Sequence, residues 1–323
     1  MSKERCEFSS PLDRIVGKSK WVKRIKSQIK ELADLDDPIL ITGETGTGKE
    51  VVAEVIHKLS HHRGAPFVPV NTAALPGELI ASELFGHEQG AFTGATERKV
   101  GCFELAGEGT LLLDEIGAMP RKVQAVLLRV LDKQTFRRVG GKQTLKTRCR
   151  VIATTNTNLE AAAEKGLFRS DLLYRLDVYR IECPPMRSRR SDIVPLFEHY
   201  LRIFANKLGY SAPLSLPNDV VRLLMKYDWP GNVRELKNVV RRVLISCGDT
   251  SITPENLPRR VVEPAQYRGV VPIPLGTTLQ QAEKILIERA LGHVDGNKSE
   301  AAKLLGITRA GLYKKLRRYN ISG

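Results

Sequence analysis

Four apolar runs recur along the first half of the chain, and each ends in polar residues. Pro38-Ile39-Leu40-Ile41-Thr42 leads into a glycine-rich stretch, and Phe67-Val68-Pro69-Val70 ends at Asn71. Gly109-Thr110-Leu111-Leu112-Leu113 ends in Asp114-Glu115, and Cys149-Arg150-Val151-Ile152-Ala153-Thr154 ends in Thr155-Asn156. Runs this short and this apolar predict buried strands. Helical patterns separate them. Trp21, Ile25, Ile29 and Leu32 repeat at helical spacing before the first run, and Val51 to Ile56 continue a helical pattern after the glycines. The alternation predicts an α/β fold with a parallel sheet flanked by helices on both faces. In such a sheet the ligand lies at the carboxyl ends of the strands, where Asn71, Asp114, Glu115, Thr155 and Asn156 all fall.

The pattern then changes. From about Ile181 to Cys247 the apolar positions repeat at helical spacing: Ile193, Leu196, Phe197, Tyr200, Leu201 and Phe204, then Val220, Val221, Leu223 and Leu224, then Leu236, Val239, Val240 and Val243. This predicts a small helical subdomain. Pro254, Pro258, Pro264, Pro272 and Pro274 punctuate an aperiodic linker. Beyond it, Thr278 and Gln281 form a capping-box signal ahead of a helix with Leu279, Ala282, Ile285, Leu286 and Leu291 on one face. Asn297 and Glu300 open a second helix, Gly306-Ile307 a tight turn, and Thr308 a third helix reaching about Tyr319. Two short helices joined through a glycine match helix-turn-helix geometry. The expected organisation is an α/β subdomain over 1–180, a helical lid over 181–250, a linker over 251–277 and an all-α DNA-binding domain over 278–323.

The stretch Gly43-Glu44-Thr45-Gly46-Thr47-Gly48-Lys49-Glu50 lies between a strand and a helix, as a phosphate-binding P-loop requires. Glycines let backbone N–H groups approach an anion, and the helix N-terminus adds its positive dipole end. Lys49 is the residue expected to reach the β- and γ-phosphates. Glu50 stands where a Ser or Thr usually ligates Mg²⁺. Asp114-Glu115 is an acidic pair of the Walker-B kind, with Asp114 expected to hold Mg²⁺ and Glu115 to polarise the attacking water.

Net charge is +15, which points to a polyanionic partner. Arg309, Lys314, Lys315, Arg317 and Arg318 form one run on the third C-terminal helix. Thr308 and Arg309 are expected near base edges, and Lys314 and Lys315 on phosphates. No apolar run approaches the ~18–20 residues of a membrane span. The five cysteines are scattered without a C-x-x-C pair, and the histidines lack ligand spacing, with His61-His62 reading as a solvated turn. Free thiols in a reducing cytoplasm are the expectation.

Two further stretches carry a family resemblance. Gly90-Ala91-Phe92-Thr93-Gly94-Ala95, preceded by Glu83-Leu84-Phe85-Gly86-His87-Glu88, resembles the GAFTGA loop of bacterial enhancer-binding proteins, the AAA+ activators of sigma-54 RNA polymerase. Phe168-Arg169-Ser170-Asp171-Leu172-Leu173-Tyr174-Arg175-Leu176 resembles the arginine-finger segment of the same family. The resemblance extends over nearly the whole chain from Leu12 and implies an ATP-driven activator assembled as a ring, a homo-hexamer. It implies that Phe92 and Thr93 form an exposed tip engaging sigma-54. Arg169 and Arg175 would reach the nucleotide of a neighbouring subunit. Asn156 would act as sensor I, and Arg234, in Trp229-Pro230-Gly231-Asn232-Val233-Arg234-Glu235-Leu236, as sensor II. Asn71 would hold Glu115. The family often has Glu after the P-loop lysine. The C-terminal helices resemble the Fis-type helix-turn-helix, tethering the ring to upstream enhancer DNA, although Gly311 departs from its pattern and costs ~1 kcal/mol of helix propensity. The residues before Pro11 offer no regulatory domain, so control by a trans-acting partner or a longer native chain is expected. The alternative is an AAA+ DNA-binding regulator, repressor or activator, not acting through sigma-54; such relatives depart from the GAFTGA loop, which this chain keeps.

Overall fold

The computed structural model describes residues 10–74, 76–209, 216–248, 251–263, 276–294, 297–319 and 321. It divides into two compact units, residues 1–256 and 257–323. In the first, β1 (Ile39–Thr42), β2 (Phe67–Asn71), β3 (Thr110–Asp114), β6 (Arg150–Thr155) and β7 (Tyr179–Glu182) form a parallel sheet in the order β2-β3-β6-β1-β7. A separate antiparallel hairpin pairs β4 (Thr135–Arg137) with β5 (Thr144–Lys146).

Alternate strand residues serve opposite faces, as a period of two requires. Ile39, Ile41, Leu112, Ile152 and Ile181 pack with α1 (Lys20–Leu32) and α2 (Lys49–Leu59). Leu40, Leu111, Leu113, Val151 and Ala153 pack on the other face with α3 (Gly77–Phe85), α4 (Cys102–Ala106), α5 (Arg121–Lys133) and α7 (Ser170–Leu176). The short α6 (Leu159–Glu164) follows β6. Burying β1, β3 and β6 on both faces explains why those strands read as unbroken apolar runs.

Two elements differ from expectation. The helical reading from Ile181 is corrected: Tyr179–Glu182 pairs in register with β1, so the expected boundary at 180 falls inside a strand. Its polar residues alternate with Ile181 because an edge strand has half its surface in water. The β4–β5 hairpin has three residues per strand, too short to show a period.

The lid follows as α8 (Ile193–Leu208), α9 (Asn218–Lys226) and α10 (Asn232–Cys247). Val220 and Leu224 are buried on α9, whereas Val221 and Leu223 are only half-buried. Of the expected linker, α11 (Arg259–Val262) is described, while Pro264, Pro272 and Pro274 lie outside the described residues.

The second unit contains α12 (Leu279–His293), α13 (Lys298–Leu304) and α14 (Arg309–Arg318). Its core is Ile287, Ala290, Leu291, Ala301, Ala302, Leu312 and Leu316. The expected α12 face is thereby corrected: Leu279 is 90% and Leu286 38% exposed. The two short partner helices cover only one stripe of α12, and Ile287, Ala290 and Leu291 occupy it. Among the described residues no helix is long and apolar enough to cross a membrane.

Candidate functional site

The glycine-rich loop leaves β1 and enters α2 through left-handed turns at Gly46 (φ 81°) and Gly48 (φ 104°). A Cβ on Gly46 would come within 2.5 Å of the Gly231 carbonyl oxygen, so no side chain fits there. Thr47 Oγ1 closes the loop by donating to the Glu44 carbonyl at 2.8 Å. Lys49 is only 6% exposed. Its Nζ donates to the carbonyls of Gly43 (2.9 Å) and Glu44 (3.3 Å) and lies 3.6 Å from Glu115 Oε1. A buried ammonium held mainly by neutral carbonyls is underneutralised and suited to an anionic ligand. Glu50 is exposed in the first turn of α2. A cavity of about 330 Å³ opens beside Gly43, lined also by Thr155, Asn156, Leu159 and Arg180.

The acidic pair stands at the end of β3. Asp114 accepts from Thr154 Oγ1 through Oδ1 and from Asn71 Nδ2 at 3.3 Å through Oδ2. Glu115 is left-handed (φ 56°, ψ 47°), a conformation costing a non-glycine residue roughly 1 kcal/mol or more. This twist turns its carboxylate from the sheet toward Lys49 and the backbone N–H of Asn156, which donates to Oε2 at 3.1 Å. Asn156 Nδ2 in turn donates to Thr45 Oγ1 at 2.9 Å. Thr154 Oγ1 also accepts from the Glu115 N–H at 3.4 Å, so Asp114 joins Lys49, Glu115 and Asn156 in one hydrogen-bonded and ion-paired network. The expected Asn71–Glu115 contact is corrected: Asn71 holds Asp114, its in-register neighbour across β2 and β3.

The lid grips the loop through residues whose role the motifs did not reveal. Asn232 is fully buried and left-handed (φ 50°). Its Nδ2 donates to Glu44 Oε2 (3.2 Å) and the Thr45 carbonyl (3.1 Å), while its Oδ1 accepts from the Met186 N–H (2.8 Å). Arg187 pairs with Glu44 and holds that carboxyl below its ordinary range. Arg189 is buried, donates to the Thr47 carbonyl at 2.7 Å and stacks 4.6 Å over Trp21. Arg234 follows Val233, whose N–H donates to the Gly46 carbonyl at 2.9 Å. The only sequence cue to these contacts was the run around Asn232.

Arg169 and Arg175 bracket α7. Arg169 pairs with Asp171, and Arg175 with Asp132 at 3.1 Å. Buried Gln124 orients the segment by accepting from the Arg169 N–H (2.9 Å) and donating to the carbonyls of Met119 and Leu167.

The loop Gly90, Ala91, Phe92, Thr93, Gly94, Ala95 closes on itself. Gly90 N–H donates to the Ala95 carbonyl (2.8 Å), and Ala95 N–H to the Phe92 carbonyl (3.0 Å). Gly90 and Gly94 take φ of 79° and 104°. Thr93 is exposed as expected of the loop tip, but Phe92, expected to be exposed beside it, is half-buried, with its ring edge-on to His87 at 5.0 Å. Burying part of the ring lowers its apolar surface in water. Beneath the loop, nearly buried Arg138 bonds both Glu88 (2.8 Å) and Glu104 (2.9 Å).

Four cysteines are free among the described residues, and burial pushes the thiols of Cys102 and Cys183 up to about 11 and about 12. They stay neutral and unreactive near neutral pH.

In the C-terminal unit, Thr308 caps α14 by accepting from the Gly311 N–H at 3.1 Å. A Cβ on Gly311 would lie 3.1 Å from that hydroxyl, so glycine leaves the cap uncrowded. Arg309 and Lys298 flank the Tyr313 ring. Lys315, expected on phosphate, is engaged elsewhere: it pairs with Glu283 of α12, which also accepts from Tyr319.

The parallel sheet, P-loop, acidic pair and helical lid define an AAA+ P-loop fold. Family models agree: the Sigma-54 interaction domain matches residues 15–182, the AAA+ ATPase lid domain 187–270 and the Fis-family bacterial regulatory protein 278–319. The chain is 44% identical over 313 residues to a signal-transduction and transcriptional-control protein of Clostridium beijerinckii, covering 96% of this chain and 49% of that protein. It is 44% identical over 289 residues to regulatory protein AtoC of Escherichia coli (strain K12), covering 88% and 62%. The crystal structure of NtrX from Brucella abortus in complex with ATP superposes with a TM-score of 0.72 at 35% identity, covering 95% of this chain and 69% of that one. This chain belongs to the sigma-54-dependent activator family, and it spans about half to three-fifths of the two curated relatives' lengths.

Proposed function

We propose that the chain hydrolyses ATP and uses the energy to remodel closed complexes of sigma-54 RNA polymerase while tethered to enhancer DNA. The observation that carries this reading is the convergence of Lys49, Asp114, Glu115 and Asn156 at one sheet edge of a chain that also bears the Gly90–Ala95 loop. The similarity to an ATP-bound NtrX supports the choice of nucleotide.

The residues fit ATP with Mg²⁺: glycine turns expose backbone N–H groups, Lys49 supplies a buried cation, and Asp114 supplies a carboxylate. Bound, they would supply a scissile phosphoanhydride and a metal ion, held by Asp114, that neutralises phosphate charge. Lys49 would exchange its carbonyl partners for phosphate oxygens. Glu115, aimed away from the strand by its left-handed backbone, would orient the attacking water and accept its proton. Asn156 links Glu115 to Thr45, so the acidic pair and the P-loop move together. Arg234 would contact the nucleotide from the lid, which Asn232 and Arg187 join to the P-loop.

Arg169 and Arg175 act across a subunit boundary in this reading, in a homo-oligomeric ring, a hexamer. Asp171 and Asp132 neutralise them in the single chain. Phe92 leaves His87 and, with Thr93, engages sigma-54. Thr308 and Arg309 approach base edges and Lys314 a phosphate. Lys315 braces α14 against α12.

In vitro transcription with sigma-54 holoenzyme tests the reading. Open complexes are expected only with hydrolysable ATP, and Thr93→Ala should hydrolyse ATP yet open no promoter. Open complexes formed without ATP, or full activation by Thr93→Ala, would overturn it.

A further inference from the structure

We infer that Asp36, His61 and His62 form a binding site for one divalent transition-metal ion of the imidazole-preferring kind, such as Zn²⁺ or Ni²⁺. The sequence suggested only a solvated turn here, because the carboxylate comes from a different loop. Asp36 lies between α1 and β1, and the histidines in the turn after α2. One ligand atom from each residue lies within 4.8 Å of the others. Asp36 Oδ1 is 2.8 Å from His62 Nε2 and 3.2 Å from His61 Nε2.

The hydrogen bonds around His62 hold its ring as a metal ligand needs to be held. Its Nδ1 lies 2.5 Å from the Glu108 carbonyl oxygen, which can only accept, so Nδ1 carries the proton. In the neutral ring, Nε2 then presents a lone pair directly to the Asp36 carboxylate, another acceptor. A ring proton can bridge the two atoms, and a metal ion bound through Nε2 and Oδ1 would take its place. A ligating histidine typically donates its other N–H to a backbone carbonyl or carboxylate, as Nδ1 does here. His61 points the same way, with Nε2 toward Asp36 and Nδ1 3.8 Å from Asp34 Oδ1.

Ligand atoms around tetrahedral zinc stand about 3.3 Å apart. The two Asp36 contacts therefore need to open by only a few tenths of an ångström. His62 is largely buried while His61 and Asp36 are exposed, which leaves room for water to complete the coordination. Two imidazoles and one carboxylate favour Zn²⁺, Ni²⁺ or Cu²⁺ over Mg²⁺ or Ca²⁺. The ion would join the loops entering β1 and β2 and, through the Glu108 carbonyl, the turn entering β3. That is the edge of the parallel sheet opposite the P-loop, so the site is separate from the nucleotide machinery.

Calorimetric titration of the metal-free full chain with Zn²⁺ tests this, with Co²⁺ visible absorption reporting the geometry. One equivalent should bind and raise the melting temperature. Asp36→Asn and His61→Asn, both at exposed side chains that leave the fold intact, should each weaken binding about tenfold or more. His62→Gln should do the same, provided its circular dichroism is unchanged. Absence of binding at millimolar Zn²⁺ would overturn the proposal and make the cluster a proton-bridged ion pair. Undiminished binding in all three variants would also overturn it, by locating the metal elsewhere.

Discussion

The P-loop end of the first unit and the helix-turn-helix of the second, each proposed to meet a polyanion, hold their polar groups in opposite ways. At the P-loop, Glu44, Asn156, Arg187 and Asn232 come from distant parts of the chain and meet in hydrogen bonds. In the C-terminal unit, caps at Thr278, Asn297 and Thr308 bond residues two or three positions away, over a core of seven buried side chains rich in alanine. The contrast implies that local changes weaken the second unit by small steps, while a single loss at the first disables a network.

The largest effect is expected at Arg169 and Arg175, which the proposed function places across a subunit boundary. Arg169→Ala or Arg175→Ala should lower ATP turnover by roughly 10³-fold or more. Mixing Arg169→Ala with Lys49→Ala chains should restore part of the activity, because an intact arginine then meets an intact P-loop. Failure of rescue in mixed rings would place the arginines' role within one chain.

Glu115→Ala should slow hydrolysis by roughly 10²-fold or more while ATP still binds, measured by single turnover beside equilibrium binding. Unchanged turnover would remove Glu115 from water activation. Asn232→Ala tests the joint between P-loop and lid. It leaves the buried Met186 N–H without its acceptor and removes one donor each from the Thr45 carbonyl and from Glu44, which keeps Arg187. The expected loss is roughly 1–3 kcal/mol in denaturant unfolding of the first unit, set mainly by the orphaned Met186 N–H; no measurable loss would show that water replaces the bonds.

Thr308→Ala should cost only about 1 kcal/mol in the C-terminal unit. Here too the readout sharpens the contrast, since ATP turnover should not change. The smallest effect is the dependence on pH. Arg187 beside Glu44, Arg138 clasping Glu104, and Lys315 on Glu283 each hold a carboxyl below its ordinary value of 4.5. A depressed folded value means that the stabilisation is present above pH 4.5 and is lost as pH falls through the folded value. Thermal melts should therefore weaken on acidification below that point, and Glu104→Gln should flatten part of the slope. A melt of Glu104→Gln as acid-sensitive as the parent would show that the Arg138 pair carries none of it.

Much was legible without coordinates. Strands buried on both faces read as unbroken apolar runs, so β1, β3 and β6 were visible, and the caps of the C-terminal helices were visible because their partners lie within three residues. The edge strand β7 was not, since its alternation of Arg180, Ile181 and Glu182 spans too few residues to display a period. The site was legible as a set of residue types at strand ends, but its pairings were not.

The sequence by itself determined the α/β order, the P-loop, the acidic pair and the cap-and-turn logic of the last helices. These depend on backbone propensity, apolar period and contacts close along the chain. Only tertiary structure decided that Asn71 holds Asp114 rather than Glu115, that Phe92 rests on His87, that Lys315 braces α12, and that Asp36 faces two histidines from another loop. Each joins segments whose separation along the chain carries no periodic signal. Hydrogen bonds and ion pairs depend on ångström distances that arise only once the sheet has set its register and the helices have packed.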